Sequence, residues 1–348
     1  MNSADGMPST CYADTVRSLR AKAVRLPWVE SLREHALKTF EAKGFPERSW
    51  ESWKYYSPKE LLATSFQLPR LLTPVDRTDP LFKDARCRIV FVNGLFSPQL
   101  SSQAPGNIDF SELWSGLFNQ TDLEARLGRN LNKEENPFLL VNTFSFQDGA
   151  FIRIPKGRTA LEPLHLFFLS SPDQENPVAS NARILVIAEE GSQASVVCHY
   201  YGIGTNPSFE NAGGEIYLDQ GAKLEWVNLQ HQNKGEGTLF CNLRAYLRND
   251  ARLEMVTFSR GGKIVRNEVL ADLEGPGAVC NIGGLSVLSG ETRVFNEVTA
   301  NHRAPATVSR QFYKNILDET SVAEFNSLAY VFPGAQKSDS NQLNKNLL

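Results

Sequence analysis

Cysteine is scarce in this chain: five in 348 residues, Cys11, Cys87, Cys198, Cys241 and Cys280, widely spread and without a Cys-x-x-Cys pair. That excludes a disulfide framework and the usual thiolate zinc motifs. An excess of one charge is missing too, since 36 Lys and Arg stand against 39 Asp and Glu, a net charge of −3. No global field therefore draws the protein to nucleic acid or to an anionic membrane, and neither is an expected partner. No apolar run approaches the roughly 18 residues of a membrane span, and Met1 to Arg20 hold no apolar core of signal-peptide length. A soluble, cytoplasmic protein is expected. The chain also lacks a Gly-x-x-x-x-Gly-Lys-Ser/Thr loop, a Gly-x-Ser-x-Gly elbow and a His-Glu-x-x-His pair, so no catalytic and no metal-binding residue is assigned.

What is present is a globular composition, 41% hydrophobic and 22% charged, and a repeat. Four stretches begin on a turn residue at Gly191, Gly221, Asp250 and Gly277, continue through a small or polar pair, and run into alternating strand-like residues. Their spacing of 30, 29 and 27 residues suits stacked coils of two or three strands, a parallel β-helix. An antiparallel sandwich is the rival, but it predicts hairpin turns every ~8–12 residues and no longer self-similarity.

Three regions are expected: a helical amino-terminal unit over 1–65, a mixed α/β linking region over 66–136, and a β-helix core over 137–348. In the first, Pro27 to Lys43 places Val29, Leu32, Ala36 and Phe40 on one helical face, with Pro27 at the start and Gly44 at the stop. Ser57-Pro58-Lys59-Glu60 reads as a capping box opening a short helix through Leu61 and Leu62. Between them Trp50, Trp53, Tyr55 and Tyr56 crowd seven residues. Packing between this unit and the next is the expected role, and stacking on a ligand the alternative. The second region predicts a strand at Arg88 to Val92, a turn at Asn93-Gly94, and a helix from Asp122 to Leu131 on a narrow stripe of Leu123, Leu127 and Leu131. After Pro137 only short strands are expected.

Cys198, Cys241 and Cys280 fall on predicted strands and read as core residues. Strand alternation sends Cys198 and His199 to opposite faces, so they do not share a metal. Asp219 and Asp250 sit in or beside turns, where short acids favour the backbone shapes needed.

The segment from His302 to Asp318 follows H-x-x-P-x-T-x-S-R-Q-x-Y-K-x-x-L-D, and Ala335 to Leu348 follows A-Q-K-x-D-x-x-Q-x-N-x-N-L-L. Together with Arg266-Asn267-Glu268 and Gly283-Gly284-Leu285, these resemble the SufB/SufD family of iron–sulfur cluster assembly proteins. Trp53-Lys54-Tyr55 before a short helix resembles its SufD branch. The resemblance implies a right-handed parallel β-helix in a non-catalytic scaffold subunit. It also implies pairing with a SufB-like subunit through the β-helix, a SufC-like ATPase docked on a carboxy-terminal helical domain, and an iron–sulfur cluster assembled on the complex. No cofactor is assigned to this chain alone. The family pattern continues past Asn346-Leu347-Leu348 with further strands and that helical domain, so the core reads as truncated and the SufC dock as missing. Phe295, Glu297 and Val298 depart from the family's polar pattern before the His-x-x-Pro motif, and Asn326-Ser327 departs from its Asn-Gly turn.

Within the motif, His302, Gln311, Lys314, Lys337, Asp339, Asn341, Gln342 and Asn344 are the candidate partner-interface residues, because the open end of a solenoid exposes strand edges that invite another chain. The alternative is structural: amides at equivalent positions of neighbouring coils bonding one another, and His302 as a hydrogen-bonded core histidine. Two rival functions remain, a polysaccharide lyase or hydrolase on a β-helix, and a solenoid that stacks end to end on itself.

Overall fold

The computed structural model describes residues 9–70, 75–171, 177–232 and 236–348. The amino-terminal unit opens with α1 (Cys11–Lys22), whose Thr10 Oγ1 accepts from Ala13 N at 3.1 Å, a side-chain cap for an otherwise orphaned amide. Helix α2 (Pro27–Lys43) has the expected bounds, buries Val29, Ala36 and Phe40, and stops where Gly44 takes a φ of 72°. Helix α3 (Lys59–Ala63) forms, but the capping box does not: Pro58 occupies the cap position and no side chain caps the helix. Ser57 stands one residue too early, because its neighbour's fixed ring already holds a near-helical φ.

Strands β1 (Arg88–Val92) and β2 (Leu95–Phe96) make a hairpin across Asn93-Gly94, with φ of 52° and 77°, the left-handed pair of a type I′ turn. Next come β3 (Asp109–Glu112) and α4 (Leu113–Asn119). No α-helix spans Asp122 to Leu131. Two 3₁₀ turns, Thr121–Leu123 and Leu131–Lys133, flank irregular chain in which Gly128 takes a φ of 70°. Its three leucines are buried as expected, while Arg126 and Arg129 reach across to the rings of Tyr217 and Tyr246 at 5.3 and 4.9 Å. These cross-strand contacts hold the segment as a strap and override a stripe too narrow to specify a helix.

Helix α5 (Pro137–Ser145) lies where only strands were expected, and all nine of its residues are buried. Asn136 caps it, accepting from Phe138 N at 2.9 Å and Leu139 N at 3.2 Å. A helix buried on all sides has no exposed polar face to reveal it.

The remaining strands are β4 (Gly149–Ile154), β5 (Leu164–Ser170), β6 (Val178–Ser180), β7 (Arg183–Ala188), β8 (Gln193–Gly202), β9 (Ser208–Leu218), β10 (Lys223–His231) and β11 (Gly237–Leu247). They continue as β12 (Arg252–Ser259), β13 (Ile264–Leu273), β14 (Val279–Leu288), β15 (Arg293–His302), β16 (Val308–Leu317), β17 (Val322–Val331) and β18 (Asp339–Leu347). Alternate strands build two sheets: sheet I in the order β18-β16-β14-β12-β10-β8-β5-β1-β2, and sheet II in the order β17-β15-β13-β11-β9-β7-β4-β3 with β6 on β9. From β4 on every pairing between coils is parallel, so the protein is a parallel β-solenoid of about six turns and not a sandwich.

The repeat is the turn from sheet II to sheet I. Left-handed residues recur at Gly191, Gly221, Asp250 and Gly277, and the series runs on through Ala306 and Lys337, with φ between 55° and 73°. Each turn bonds the next, as in Gly191 N to Gln220 O at 2.9 Å and Ala306 N to Gln336 O at 2.8 Å. Between the sheets lies a continuous apolar core that contains Trp226, Met255 and the three strand cysteines. Outside sheet II, Trp53 stacks on Phe138 at 5.4 Å and meets Phe240 edge-on at 5.9 Å, so the aromatic cluster joins the helical unit to the solenoid. No helix among the described residues is long and apolar enough to cross a membrane.

A candidate partner surface on the last coils

The motif-bearing residues occupy β15 to β18 and divide by strand alternation. His302 is fully buried inside the coil, where its Nδ1 lies 2.7 Å from Thr307 Oγ1 and its Nε2 2.9 Å from Ser309 Oγ. Burial lowers its pKa, so the imidazole stays neutral between two hydroxyls. Gln311 is also buried, its Oε1 accepting from Ser327 Oγ. Neither side chain reaches a surface. Lys314 is exposed on the outer face of sheet I, with its ammonium 5.1 Å from the Phe312 ring. Lys337 is exposed at the last left-handed turn, at a φ of 61°.

Asp339 pairs with Arg310 across the first position of β18. Arg310 in turn lies beside Asn341 in the register, as Gln311 lies beside Gln342. Asn315 Nδ2 donates to Asn346 Oδ1 at 2.8 Å and lies 3.4 Å from Asn344 Oδ1. An amide ladder between coils is thus present, and it recurs at Asn267 and Asn296, 2.9 Å apart. Every residue of β18 is exposed. Its inward positions, Ser340, Gln342, Asn344 and Asn346, are polar, while the inward positions of β17 include Ala323, Phe325 and Ala329.

A second constellation, on the outer face of sheet II, was not legible as a unit in the sequence. Arg183 forks onto Glu215 at 3.0 and 2.5 Å. Arg244 bridges Glu134 and Glu268, both at 2.6 Å, and Arg266 lies 3.6 Å from Glu297. Arg266 is buried beneath Trp53, its guanidinium 4.1 Å from the ring centroid. Burial works against the Glu134 carboxylate, but Arg244 overcomes it and holds the pKa below the ordinary value. Glu297 goes the other way: burial, with Glu268 and Glu324 nearby, pushes it up to about 7 against the pull of Arg266. The only hint in the sequence was the Arg266-Asn267-Glu268 motif, since most partners lie one coil apart and Glu134 lies 110 residues from Arg244.

His165 and His199 meet on the outer face of sheet I, Nδ1 to Nε2 at 3.0 Å, with Phe167 stacked on His199 at 4.0 Å. Burial and then His165 lower the His199 pKa to about 4, so the pair shares one hydrogen bond as neutral rings. No group of three or more metal-ligating side chains occurs among the described residues. Burial raises the thiols of Cys241 and Cys280 to about 12, which leaves them protonated and poor ligands or nucleophiles.

Comparison with known proteins agrees with this architecture. A family model described as "SUF system FeS cluster assembly, SufBD core domain" matches residues 168–348, and one described as "SufBD protein N-terminal region" matches residues 9–166. The chain belongs to the SufBD family. It is an iron–sulfur cluster assembly SufBD family protein, as the motif of the last coils implied. Its relatives include an iron–sulfur cluster assembly SufBD family protein of Synechocystis, 26% identical over 333 residues that cover 91% of this chain and 72% of the relative. The iron–sulfur cluster assembly protein SufD of Escherichia coli is 24% identical, with 93% of this chain and 74% of the relative covered. Protein ABCI7 of Arabidopsis thaliana, a chloroplastic protein, is also 24% identical, with 92% and 69% covered. In this SufBD-family chain the two matched regions meet inside β5, so the amino-terminal match takes in the first solenoid strands as well as the helical unit.

Proposed function

We propose that the chain is a SufD-like scaffold subunit, working in the cytoplasm, that pairs with a SufB-like subunit through the last coils and supports cluster assembly on a complex with a SufC-like ATPase. Its role is geometric: it holds a partner in place, and no bond-making step is assigned to its side chains. The cluster is cargo of the complex and not a resident cofactor of this chain.

The observation that carries this reading is the edge formed by β17 and β18, which lies within the matched core domain. Both strands pair on one side among the described residues. The inward amides of β18 add side-chain donors and acceptors to that backbone row, a combination suited to strand addition by a partner. Lys337, Asp339, Asn341, Gln342 and Asn344 belong to this edge, whereas His302 and Gln311 support it from the coil before.

Co-expression with a SufB-like and a SufC-like subunit, followed by affinity capture and light scattering, tests the proposal. A defined complex that contains the SufB-like subunit is expected. Substituting Asn344→Pro, which removes a backbone donor and fixes φ on an exposed edge, is expected to reduce its recovery at least about fivefold. Absence of the SufB-like subunit from the captured wild-type material overturns the reading.

A further inference from the structure

The tautomer of a histidine is set by the hydrogen bond that its far ring nitrogen makes. His165 and His199 lack that constraint. Nδ1 of His165 meets Nε2 of His199 at 3.0 Å, and neither His165 Nε2 nor His199 Nδ1 has a hydrogen-bond partner among the described residues. Two neutral rings therefore share one N–H, and either ring can hold it.

The fold fixes the pair in place. His165 lies on β5 and His199 on β8, which are paired neighbours in sheet I, and the register sets Phe167 beside His199. Strand alternation puts all three side chains on the outer face. The Phe167 ring stacks on His199 with its centroid 4.0 Å away and its plane 8° from parallel, which holds the plane of that imidazole. Both histidines are half-buried, beside the apolar cover that Phe82, Ala85 and Leu100 form over Phe167.

The imidazoles lie end to end. Their centroids are 5.2 Å apart and their planes 27° from parallel, so the centroids stand 2.2 Å farther apart than the bonded nitrogens. That difference is nearly the full depth of two ring radii. Both nitrogens thus lie close to the line between the centres, with their lone-pair directions facing each other. An ion on this line at ~2.0 Å from each nitrogen needs them about 4 Å apart, roughly 1 Å wider than they stand, an opening shared between two side chains. Zinc or nickel asks for something else: tetrahedral or cis-planar corners, with the two rings turned to converge on a point off the line. Cβ atoms anchored on paired strands oppose that turn.

We propose that His165 and His199 form a two-coordinate site for a soft monovalent cation, Cu(I) or its analogue Ag(I), held on the line between Nδ1 and Nε2. The ion takes the place of the shared proton. That proton moves through solvent to the far nitrogen of its own ring, so both imidazoles remain neutral and the site gains only the charge of the ion. A half-buried site penalises a second charge, and the charged group that acts on His165 is the Asp84 carboxylate, which favours a cation. An ion held here also clamps β5 to β8, joining the covered first coils to the repeating stack. The site involves neither β17 nor β18, so it stands apart from the proposed pairing with a SufB-like subunit.

Cys11 is exposed and Cys87 half-buried, and either thiolate would compete for the ion. The test therefore uses the full chain carrying Cys11→Ser and Cys87→Ser. Anaerobic titration of Cu(I) against the chromophoric chelator bicinchoninate is expected to show one ion per chain. His165→Gln and His199→Gln are each expected to weaken binding at least about a hundredfold. His231→Gln, which changes the ring stacked on Tyr201 at 4.9 Å, is expected to leave it unaltered. Zn(II) and Ni(II) are expected to bind at least about a hundredfold more weakly than Cu(I), against the usual order for nitrogen sites. Proton–nitrogen correlation spectra with isotope-labelled histidine read the site without substituting it. On addition of Ag(I), His165 Nδ1 and His199 Nε2 are expected to shift and both far nitrogens to become fully protonated. Failure of the chain to hold Cu(I), binding unmoved by either histidine substitution, Zn(II) held as tightly as Cu(I), or spectra in which other nitrogens shift instead overturns the proposal.

Discussion

Glu297 shows how the fold sets the charge of a single residue. Its carboxyl, raised to about 7 mainly by burial, keeps its proton in the folded state at a pH where the unfolded chain has lost it. Between about pH 4.5 and 7 the folded state therefore binds the extra proton, and unfolding free energy falls as pH rises through that window. The shift corresponds to about 3 kcal/mol at most. Glu297→Gln keeps the hydrogen-bonding shape without the charge, so it is expected to flatten the fall in urea-measured stability between about pH 5.5 and 8. An unchanged slope would show that Glu297 does not titrate there; Glu210, also raised to about 7 by burial, supplies the remainder. His302 makes the complementary case. Its ring bonds two buried hydroxyls, so His302→Ala removes one hydrogen bond from each of Thr307 and Ser309 and opens a cavity beside them. A loss of about 2–4 kcal/mol in chemical denaturation is expected. A change under 1 kcal/mol would mean that the bonds these hydroxyls already make to Ser338 and Ser340, both at 2.9 Å, are enough to satisfy them.

At the scale of elements, strands carrying a turn signal were legible and helices without a polar face were not. The four turns from Gly191 to Gly277 announced the coil period because three of them need glycine for a left-handed φ and the fourth tolerates aspartate. Ala306 and Lys337 hold the same φ without such a residue, so the last two turns left no local mark; only the family motif pointed there. Helix α2 was legible through one apolar stripe between a proline and a glycine, whereas α5, buried on every side, read as strand. The candidate surface was legible as a segment, but the inward positions of His302 and Gln311 depend on the strand register, which the motif does not encode. Two substitutions probe how elements meet. Gly284 on β14 faces Tyr313, and an added Cβ would overlap that ring, which itself stacks on Phe325 at 4.4 Å. Gly284→Ala is expected to cost about 1–3 kcal/mol and to lower the melting temperature. Trp53→Ala removes the ring that covers Arg266 and touches Phe138 and Phe240, and about 3–5 kcal/mol is expected to be lost. If that change leaves melting unaltered, the helical unit is not held to sheet II by its aromatic cluster.

The whole molecule behaves as a stack in which each coil contacts chiefly the coils on either side, so its stability is a sum of neighbour terms and need not be uniform along the axis. The middle of the stack is bound most tightly. All residues of β9 and β11 are buried, pressed between the core and the helical unit, and ion pairs tie Arg183 on β7 to Glu215 on β9 and Arg244 on β11 to Glu134, just before α5. Toward β17 and β18 each of these supports drops away: the helical unit no longer covers sheet II, outward Leu328 and Tyr330 are exposed, and β18 is exposed along its whole length. Amide exchange is therefore expected to show protection that is greatest in β9 to β13 and falls stepwise through β15 to residues 322–347, with the last coil opening at about 1–3 kcal/mol while the centre exchanges only on global unfolding. Binding of a partner at the β17 and β18 edge couples to this opening, because a strand that seats there adds a neighbour term and raises protection in β18 first. Mass spectrometry of exchanged, pepsin-cleaved protein with and without the captured SufB-like subunit reads both effects. Uniform protection along the free chain would mean that the coils unfold as one cooperative block and that the edge is already rigid before any partner arrives.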